Sequence, residues 1–289
     1  MTTFDGGPSR SQPRSWLFTP AMRPDRFDAA GRAGADVLIM DLEDAVAPRD
    51  KDVARANALA ALAGEQRSGP ALALRVNALR TPTGLADVLA VLQQRAQPDY
   101  LVVPKAESAD ELSLLDDLLS AVGSPARLVA LIESAPGLGA AAAVARSTGR
   151  LVALMFGAAD CAADLGAATA WEPLLFSRAQ VVAAAATAGI EAIDAPCFAL
   201  RDPAALEAEL TASRALGFAS KAAIHPSQVA AINAAFTPTN EQVAWARRIL
   251  DENDKGIGVV DGQMIDEAVA RKARRLLRKA GVMPDYVSR

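Results

Sequence analysis

The chain has 289 residues, 51% of them hydrophobic, with a formal net charge of −4 at pH 7 and a pI of about 5.2. This length accommodates one large α/β domain with an extension. The acidic balance disfavours a nucleic-acid partner, and no apolar run reaches the length of a membrane span, so we expect neither nucleic acid nor membrane as a partner.

Short leucine-rich or β-branched runs alternate with longer alanine-rich amphipathic stretches along most of the chain. Residues 1–13 come first and lack the apolar core of a signal peptide, so we expect a flexible tail. Strands are predicted near 14–18, 36–41, 71–76, 99–104, 127–133, 151–156, 190–194 and 219–224. Helices are predicted near 24–33, 48–63, 83–95, 108–122, 137–147, 172–187 and 203–216. Eight strands alternating with helices favour a TIM (β/α)8 barrel over residues 14–226 rather than an open doubly wound sheet.

The pattern changes after the eighth predicted strand. Residues 227–234 and 239–252 read as helices, a Gly/Asp-rich turn follows, and 266–280 forms a basic amphipathic helix. These residues exceed what a barrel needs. We therefore expect residues 227–289 to form a C-terminal helical extension that caps the barrel or contributes to a neighbouring subunit.

Five of the eight predicted strands end on a charged side chain. A buried charge must be paired or solvated, and the carboxyl ends of parallel barrel strands share the rim that carries the active site. Carboxylates with an arginine and a lysine on one rim indicate a divalent metal that holds an anionic substrate. The charges in question are Asp41, Glu43 and Asp44, then Arg75, Lys105, Glu133 and Asp160.

Glu133 and Asp160 are the predicted metal ligands, because they end consecutive strands and have small neighbours that let a ligand approach the backbone. Two carboxylates completed by water and substrate oxygens suit Mg²⁺, with Mn²⁺ as a substitute. The alternative is that Glu133 caps the following helix and Asp160 pairs with an arginine.

Asp41, Glu43 and Asp44 form a second acidic cluster, which needs a metal or arginines nearby, and the alternative is a loop neutralised by Arg23 or Arg49. Glu43 and Asp44 are predicted to hold metal-bound water molecules and the arginines that bind the substrate. Asp41 is predicted to contact the substrate itself. Arg75 is expected to bind a substrate carboxylate in bidentate fashion, with an ion pair to Glu43 or Asp41 as a compatible role.

Four further residues are candidates for substrate phosphate or oxygen atoms. Lys105 follows a proline at a strand end, and a Schiff-base role is disfavoured by its acidic surroundings. Arg23 follows the first strand, and Lys221 lies in the last one. His225 precedes a proline, where a structural role is the alternative.

The cysteine and histidine content narrows the chemistry. Cys161 and Cys197 stand outside any CxxC motif, which predicts no disulfide framework or zinc site and favours a reducing cytoplasm. His225 is the single histidine and no GxSxG motif is present, so a serine triad or a multi-histidine zinc site is disfavoured. Asp266 follows a Gly-rich turn, and from the residues alone it reads as the N-cap of the last helix.

Eight segments in fixed order resemble motifs of the citrate lyase β-subunit-like proteins of the HpcH/HpaI aldolase superfamily. They are LFTPAMRPDRF, MDLEDAV, LRVN, VVPKAES, LIESAPG, MFGAADCAADLG, SKAAIHPSQ and DGQMID. The match extends from about residue 14 to about residue 278. This resemblance implies a TIM barrel that forms homotrimers or hexamers, Mg²⁺ on Glu133 and Asp160, and Arg75 on the carboxylate of a small oxo acid.

The resemblance also implies an acyl-CoA site that includes Arg23, Lys105 and the SKAAIHP segment. In the malyl-CoA and citramalyl-CoA lyases of this family, the motif that matches DGQMID comes from a neighbouring subunit. The resemblance therefore implies that its aspartate, here Asp266, is a general acid/base that acts in the site of another subunit. Two positions depart from the family pattern. Cys161 stands where a larger residue is common, and Ser220 replaces the glycine expected before Lys221.

The expected activity is Mg²⁺-dependent cleavage or formation of a 3-hydroxyacyl-CoA such as malyl-CoA or citramalyl-CoA, with acetyl-CoA and glyoxylate, pyruvate or oxaloacetate as the other species. The alternatives are a citrate lyase β subunit acting on citryl-acyl carrier protein, a thioesterase or malate-synthase-like activity, a CoA-independent pyruvate aldolase, and a non-enzymatic acyl-CoA-binding protein. The long C-terminal extension argues against the aldolase, and the complete acidic–arginine set argues against a pure binding role.

Overall fold

The computed structural model describes residues 12–64, 69–94, 97–253, 258–261 and 263–282. Residues 1–11 of the predicted tail lie outside the described residues. Arg14–Asn233 forms one compact unit, and the described residues from Ala234 onward belong to a second. Within the described ranges, no helix is both long enough and apolar enough to cross a membrane.

Eight parallel strands close into a barrel, in which each strand pairs with the next along the chain and β8 pairs with β1. This confirms the predicted TIM barrel. The strands are β1 (Ser15–Pro20), β2 (Val37–Asp41), β3 (Ala71–Arg75), β4 (Tyr100–Val103), β5 (Arg127–Ile132), β6 (Leu151–Phe156), β7 (Glu191–Asp194) and β8 (Ser220–Ala223).

Helices connect the strands, as parallel crossovers require. They are α1 (Phe27–Arg32), α2 (Lys51–Leu62), α3 (Pro82–Leu92), α4 (Ala109–Ala121), α5 (Ala135–Ala145), α6 (Ala158–Leu165), α7 (Leu175–Ala188) and α8 (Pro203–Leu216). Local signals set their ends. The Asp202 side chain accepts hydrogen bonds from Ala204 N and Ala205 N to cap α8, and Gly189 and Gly217 end α7 and α8 in the left-handed conformation.

The barrel interior is filled by alternate residues of the strands, because successive strand side chains face opposite sides of the sheet. Trp16, Val37, Ile39, Val102, Val129 and Met155 are among this buried core. The Trp16 and Tyr100 rings meet edge to face with centroids 4.9 Å apart. At the carboxyl ends the apolar layers give way to buried charges, with Asp41 paired directly to Arg75 in the β2–β3 register.

One barrel helix was not predicted. β6 ends at Phe156, and α6 begins at Ala158 after Gly157, so Asp160 lies in the first turn of a helix rather than at the end of the strand. The sequence predicted Asp160 at the end of a strand, with small neighbours that let a ligand approach the backbone, and no helix at this place. Gly166 adopts the left-handed conformation and ends α6, so the helix is only eight residues long.

The second unit contains α10 (Asn240–Asn253), a two-stranded antiparallel hairpin of β9 (Gly258–Val260) and β10 (Gln263–Ile265), and α11 (Glu267–Lys279). The preceding helix, α9 (Val229–Phe236), spans the boundary between the units. A small apolar core joins α10, β10 and α11 through Ala246, Ile249, Ile265, Ala273 and Leu277. The hairpin was predicted as a turn only.

Candidate active site

A cavity of about 420 Å³ opens at the carboxyl ends of the barrel strands. One part of its lining is apolar, with Phe18, Leu131, Met155, Phe156, Phe198 and Ile224. The other part is charged, with Asp41, Asp44, Arg75, Glu133 and Asp160. The cavity therefore offers charged groups for an anionic substrate beside an apolar wall, which is the usual composition of a small-molecule site.

Arg75 is held rigidly by its neighbours. Its Nε and Nη2 each donate to an oxygen of Asp41 at 2.7 Å, and its guanidinium carbon lies 4.9 Å from the centre of the Phe18 ring. Burial alone would lower the pKa of Arg75, but the hydrogen bonds and charge of Asp41, with Glu43 and Asp44, raise it above its usual value. The guanidinium has five N–H donors, so this fixed cation keeps donors for a substrate carboxylate.

Asp41 is almost fully buried, and both of its oxygens are used inside the protein. Besides Arg75, they accept the backbone N–H groups of Glu43 and Ala45. Asp41 was predicted as a substrate contact. Its hydrogen bonds show instead a residue that lines the cavity and positions Arg75.

Glu133 follows β5 and is 2% exposed. Its Oε1 accepts the backbone N–H of Lys105 at 2.9 Å. Burial, followed by the nearby charge of Glu43, raises the pKa of Glu133 to about 8. Helix α5 is capped by Ser134, which accepts from Gly137 N at 3.1 Å, so Glu133 is not the helix cap that was its alternative role.

Gly157 makes room for Glu133. A Cβ atom at position 157 would lie 2.4 Å from the Glu133 Cβ and 2.7 Å from its Oε2. Real Cβ atoms do not approach so closely, so only glycine fits here with Glu133 in place. Sequence reasoning grouped Gly157 with generally small residues, and nothing in the sequence alone marks its contact with Glu133.

Lys105 brings the carboxylates together. Its Nζ lies 3.0 Å from Glu43 Oε1, 3.9 Å from Glu133 Oε1 and 3.9 Å from Asp160 Oδ1. Burial alone would lower the pKa of Lys105, but the charges of Glu133, Glu43 and Asp160 raise it, which disfavours the neutral amine that a Schiff base needs. Asp160 thus faces Lys105 rather than an arginine.

The residues present fit a divalent cation. Three carboxylates surround a single ammonium, and the Glu43 carboxylate has a pKa raised by burial in spite of Arg75. Glu43 Oε2 lies 3.0 Å from Arg75 Nη1 yet accepts no directed hydrogen bond within the described residues. No group of three or more His, Cys, Asp or Glu in the described ranges is arranged to hold a metal. Two carboxylates completed by water and substrate oxygens remain the fitting arrangement.

Two predicted contacts lie apart from this charged cluster and from the cavity lining. Arg23 is exposed and pairs with Asp25 through two hydrogen bonds of 2.9 and 2.7 Å. His225 is exposed, and its Nδ1 accepts from Ser227 N at 3.2 Å, so it caps a short 3-10 helix at Pro226–Gln228. His225 therefore has a local structural role as the cap of this 3-10 helix.

The prediction for Lys221 conflicts with its position. Its neighbour Ala222 faces the barrel interior, so Lys221 faces the helix layer. The Lys221 side chain has no exposed surface, and its Nζ lies 2.7 Å from Asp194 Oδ2 and 3.0 Å from Glu209 Oε2. A CoA phosphate cannot reach this ammonium, so Lys221 is a structural residue.

Asp266 belongs to the second unit. Its Oδ1 accepts the backbone N–H of Val269 at 2.9 Å and caps α11, as the residues alone predicted. The cap fixes where α11 begins. The capping hydrogen bond uses Oδ1 and does not involve Oδ2 of Asp266.

The comparison with known families agrees with this site. The sequence profile of the HpcH/HpaI aldolase/citrate lyase family matches residues 14–226. The chain belongs to this family. The predicted family is therefore confirmed, and the expected class of carbon–carbon lyase is confirmed at the level of the HpcH/HpaI family.

Three HpcH/HpaI relatives are similar to this chain over most of its length. The L-malyl-CoA/beta-methylmalyl-CoA lyase of Cereibacter sphaeroides is 34% identical over 92% of this chain and 94% of its own length. The crystal structure of RipC from Yersinia pestis is 46% identical, with a TM-score of 0.72, over 80% of this chain and 98% of that one. CitE from Mycobacterium tuberculosis, in complex with magnesium, acetoacetate and coenzyme A, is 33% identical, with a TM-score of 0.76, over 93% and 98%.

Proposed function

We propose that the protein is a Mg²⁺-dependent lyase that cleaves, or in reverse forms, a 3-hydroxyacyl-CoA such as malyl-CoA or citramalyl-CoA, with acetyl-CoA and a 2-oxo acid as products. The observation that carries the proposal is the convergence of Glu133, Asp160 and the fixed guanidinium of Arg75 on one cavity. The relatives support it, since one is a malyl-CoA lyase and another was crystallised with magnesium and coenzyme A.

The proposed reaction breaks the bond between the hydroxyl-bearing carbon and the α-carbon of the thioester. Glu133 and Asp160 would hold Mg²⁺, which when bound polarises the hydroxyl and carboxylate oxygens of the substrate. Arg75 binds that carboxylate and fixes its orientation. Glu43, whose pKa is raised by burial and whose Oε2 accepts no directed hydrogen bond within the described residues, takes the hydroxyl proton.

An acid must then protonate the departing acyl-CoA carbon. We propose Asp266 of a neighbouring subunit for this role, in a homotrimer or hexamer. Arg23 and Lys105 remain proposed contacts of the acyl-CoA, because both have exposed cationic groups on the barrel unit.

The test is cleavage of malyl-CoA, citramalyl-CoA and citryl-CoA by the purified chain alone, with Mg²⁺ and with EDTA. Release of acetyl-CoA and an oxo acid only with Mg²⁺ is the expected result and would name the substrate. Release of free CoA instead would indicate a thioesterase. No turnover of any ester would favour a citrate lyase β subunit that needs a carrier protein.

A further inference from the structure

Lys105 has a backbone conformation that side chains other than glycine rarely adopt. Its φ is +48°, and among the described residues Asp261 is the one other non-glycine residue with a positive φ. The conformation is fixed on both sides, because Lys105 N donates to Glu133 Oε1 at 2.9 Å and Ala106 N donates to Leu131 O at 3.1 Å. Strain of this kind persists where the surrounding structure enforces it, commonly at functional sites.

The strained backbone places the ammonium of Lys105 among the three carboxylates. Its Nζ lies 3.0 to 3.9 Å from an oxygen of Glu43, Glu133 and Asp160. Lys105 thus provides a positive charge close to the carboxylate oxygens that the proposed metal would use. Its side chain is 41% exposed, so a path toward solvent is open to it.

We propose that Lys105 is a built-in cation that neutralises the acidic cluster when no metal is present and withdraws toward solvent when a divalent cation binds Glu133 and Asp160. The inference rests on the metal site of the proposed function. Two cations that share the same carboxylate oxygens repel each other, so binding of the metal must break the ion pairs of Lys105 with Glu133 and Asp160. Lys105 therefore stabilises the metal-free protein and weakens its affinity for the metal.

This role differs from that of a residue that merely supports the site. Loss of a supporting residue lowers both the stability of the metal-free protein and its metal affinity. Loss of an exchanging cation lowers the first and raises the second. The opposite signs of the two changes separate the two roles without reference to catalysis.

The experiment uses Lys105→Met, which keeps the Cβ atom and most of the side-chain length but removes the charge, and Lys105→Gln as a second neutral variant. Lys105→Arg keeps the charge. Arg49→Met is the matched control, since it also removes one positive charge and its side chain is 87% exposed. Mg²⁺ affinity is measured by calorimetry at about pH 8.5, where protons compete weakly with the metal. The thermal midpoint is measured in EDTA.

We expect both neutral variants to bind Mg²⁺ about tenfold more tightly than the wild type and to melt at a lower temperature in EDTA. Lys105→Arg and Arg49→Met should stay close to the wild type in both measurements. Unchanged or weaker Mg²⁺ binding by the neutral variants would overturn the proposed exchange of Lys105 with the metal and would leave the proposed metal site standing. A wild-type protein that binds no Mg²⁺ would overturn the metal site of the proposed function and the exchange with it.

Discussion

At the scale of single residues, the Glu133 carboxylate depends on the missing side chain of Gly157. A methyl group at position 157 would overlap Glu133, so Gly157→Ala must displace the carboxylate or the backbone after β6. We expect a loss of about 1–3 kcal/mol in stability and about a 10- to 100-fold loss in Mg²⁺ affinity. Chemical denaturation and calorimetry measure the two quantities.

The matched control for this substitution is Gly139→Ala. Gly139 is an exposed residue inside α5, and a Cβ atom there would have no neighbour within 4 Å. Alanine in that position should stabilise the protein by about 0.5–1 kcal/mol and leave Mg²⁺ binding unchanged. Equal changes in stability and Mg²⁺ affinity for the two substitutions would show that the close approach of Gly157 to Glu133 does not affect metal binding.

The proposed metal ligands give a second prediction at this scale. Asp160→Asn and Glu133→Gln preserve size and remove a charge from the site. Each should lower Mg²⁺ affinity and lyase activity by more than about 100-fold, because each neutralises a direct carboxylate ligand, where loss of an indirect partner already costs 10- to 100-fold. Far-UV circular dichroism should show the same fold as the wild type. Wild-type Mg²⁺ dependence in either variant would contradict the assignment.

Much of the candidate site could be predicted from single residues, and the failures have identifiable causes. Asp41, Arg75 and Glu133 were found because a charge at the end of a buried strand has to be paired, and the structure brings all three to one cavity. Lys221 was misplaced because the alternation of side chains along β8 turns it toward the helices. The strained conformation of Lys105 depends on tertiary hydrogen bonds that no local pattern encodes.

At the scale of elements, a buried ionic network joins β7 and β8 to α7 and α8. Asp194 accepts hydrogen bonds from Lys221, Arg178 and Ser213, and all four residues are almost fully buried. Burial alone would raise the pKa of Asp194, but the charges of Lys221 and Arg178 outweigh it and hold the pKa below its usual value. The network therefore couples these four elements through one ionised carboxylate.

This network predicts how stability depends on pH. Since the folded-state pKa of Asp194 lies below the unfolded value of about 3.9, its contribution is complete above that pH and is lost as the pH falls through the folded-state pKa. Asp194→Asn should cost about 3–5 kcal/mol at neutral pH, because buried Arg178 loses its carboxylate partner and buried Lys221 keeps only Glu209. Urea denaturation between neutral and acidic pH measures both effects.

The control for the network is Asp25→Asn, which breaks the exposed pair with Arg23. An exposed ion pair is screened by water and contributes little to stability, so this variant should unfold with nearly wild-type stability. An Asp194→Asn protein as stable as Asp25→Asn would mean that Lys221 and Arg178 find water or other partners when the carboxylate is neutral.

The elements themselves show where a sequence pattern is sufficient. All eight predicted strands are present, because continuous apolar runs bounded by turn residues are distinctive in a parallel barrel. Helix α6 and the β9–β10 hairpin were missed, because one has eight residues and the other has strands of three. Elements this short carry too little periodicity to distinguish them from loops, and they are fixed by tertiary contacts instead.

At the scale of the whole molecule, the number and alternation of the predicted strands and helices were sufficient to predict the closed barrel. They were not sufficient to predict how chains associate into an oligomer. Strand pairing within one chain is encoded by its own apolar pattern. Association between chains depends on how exposed surfaces match, and a single sequence gives no register for that match. The proposed homotrimer or hexamer thus remains a prediction, and Asp266 is the residue through which activity can test it.

Asp266→Asn and Asp266→Ser both keep a good N-cap for α11, so they should leave the thermal midpoint nearly unchanged. If Asp266 is the proposed acid, both variants should bind Mg²⁺ normally and turn over at least about 100-fold more slowly, since proton transfer contributes this much or more. Wild-type turnover would leave Asp266 with the role of a helix cap alone.

Mixing two inactive variants then tests whether Asp266 acts across subunits. Arg75→Lys removes the carboxylate clamp of the barrel, and Asp266→Asn removes the acid. If one site uses Arg75 of one chain and Asp266 of another, dissociation and reassembly of the mixture creates some sites in which both residues are intact, and activity returns to a fraction of the wild-type value. If each chain supplies both residues to its own site, every site in the mixture stays defective, and the mixture is as inactive as its components.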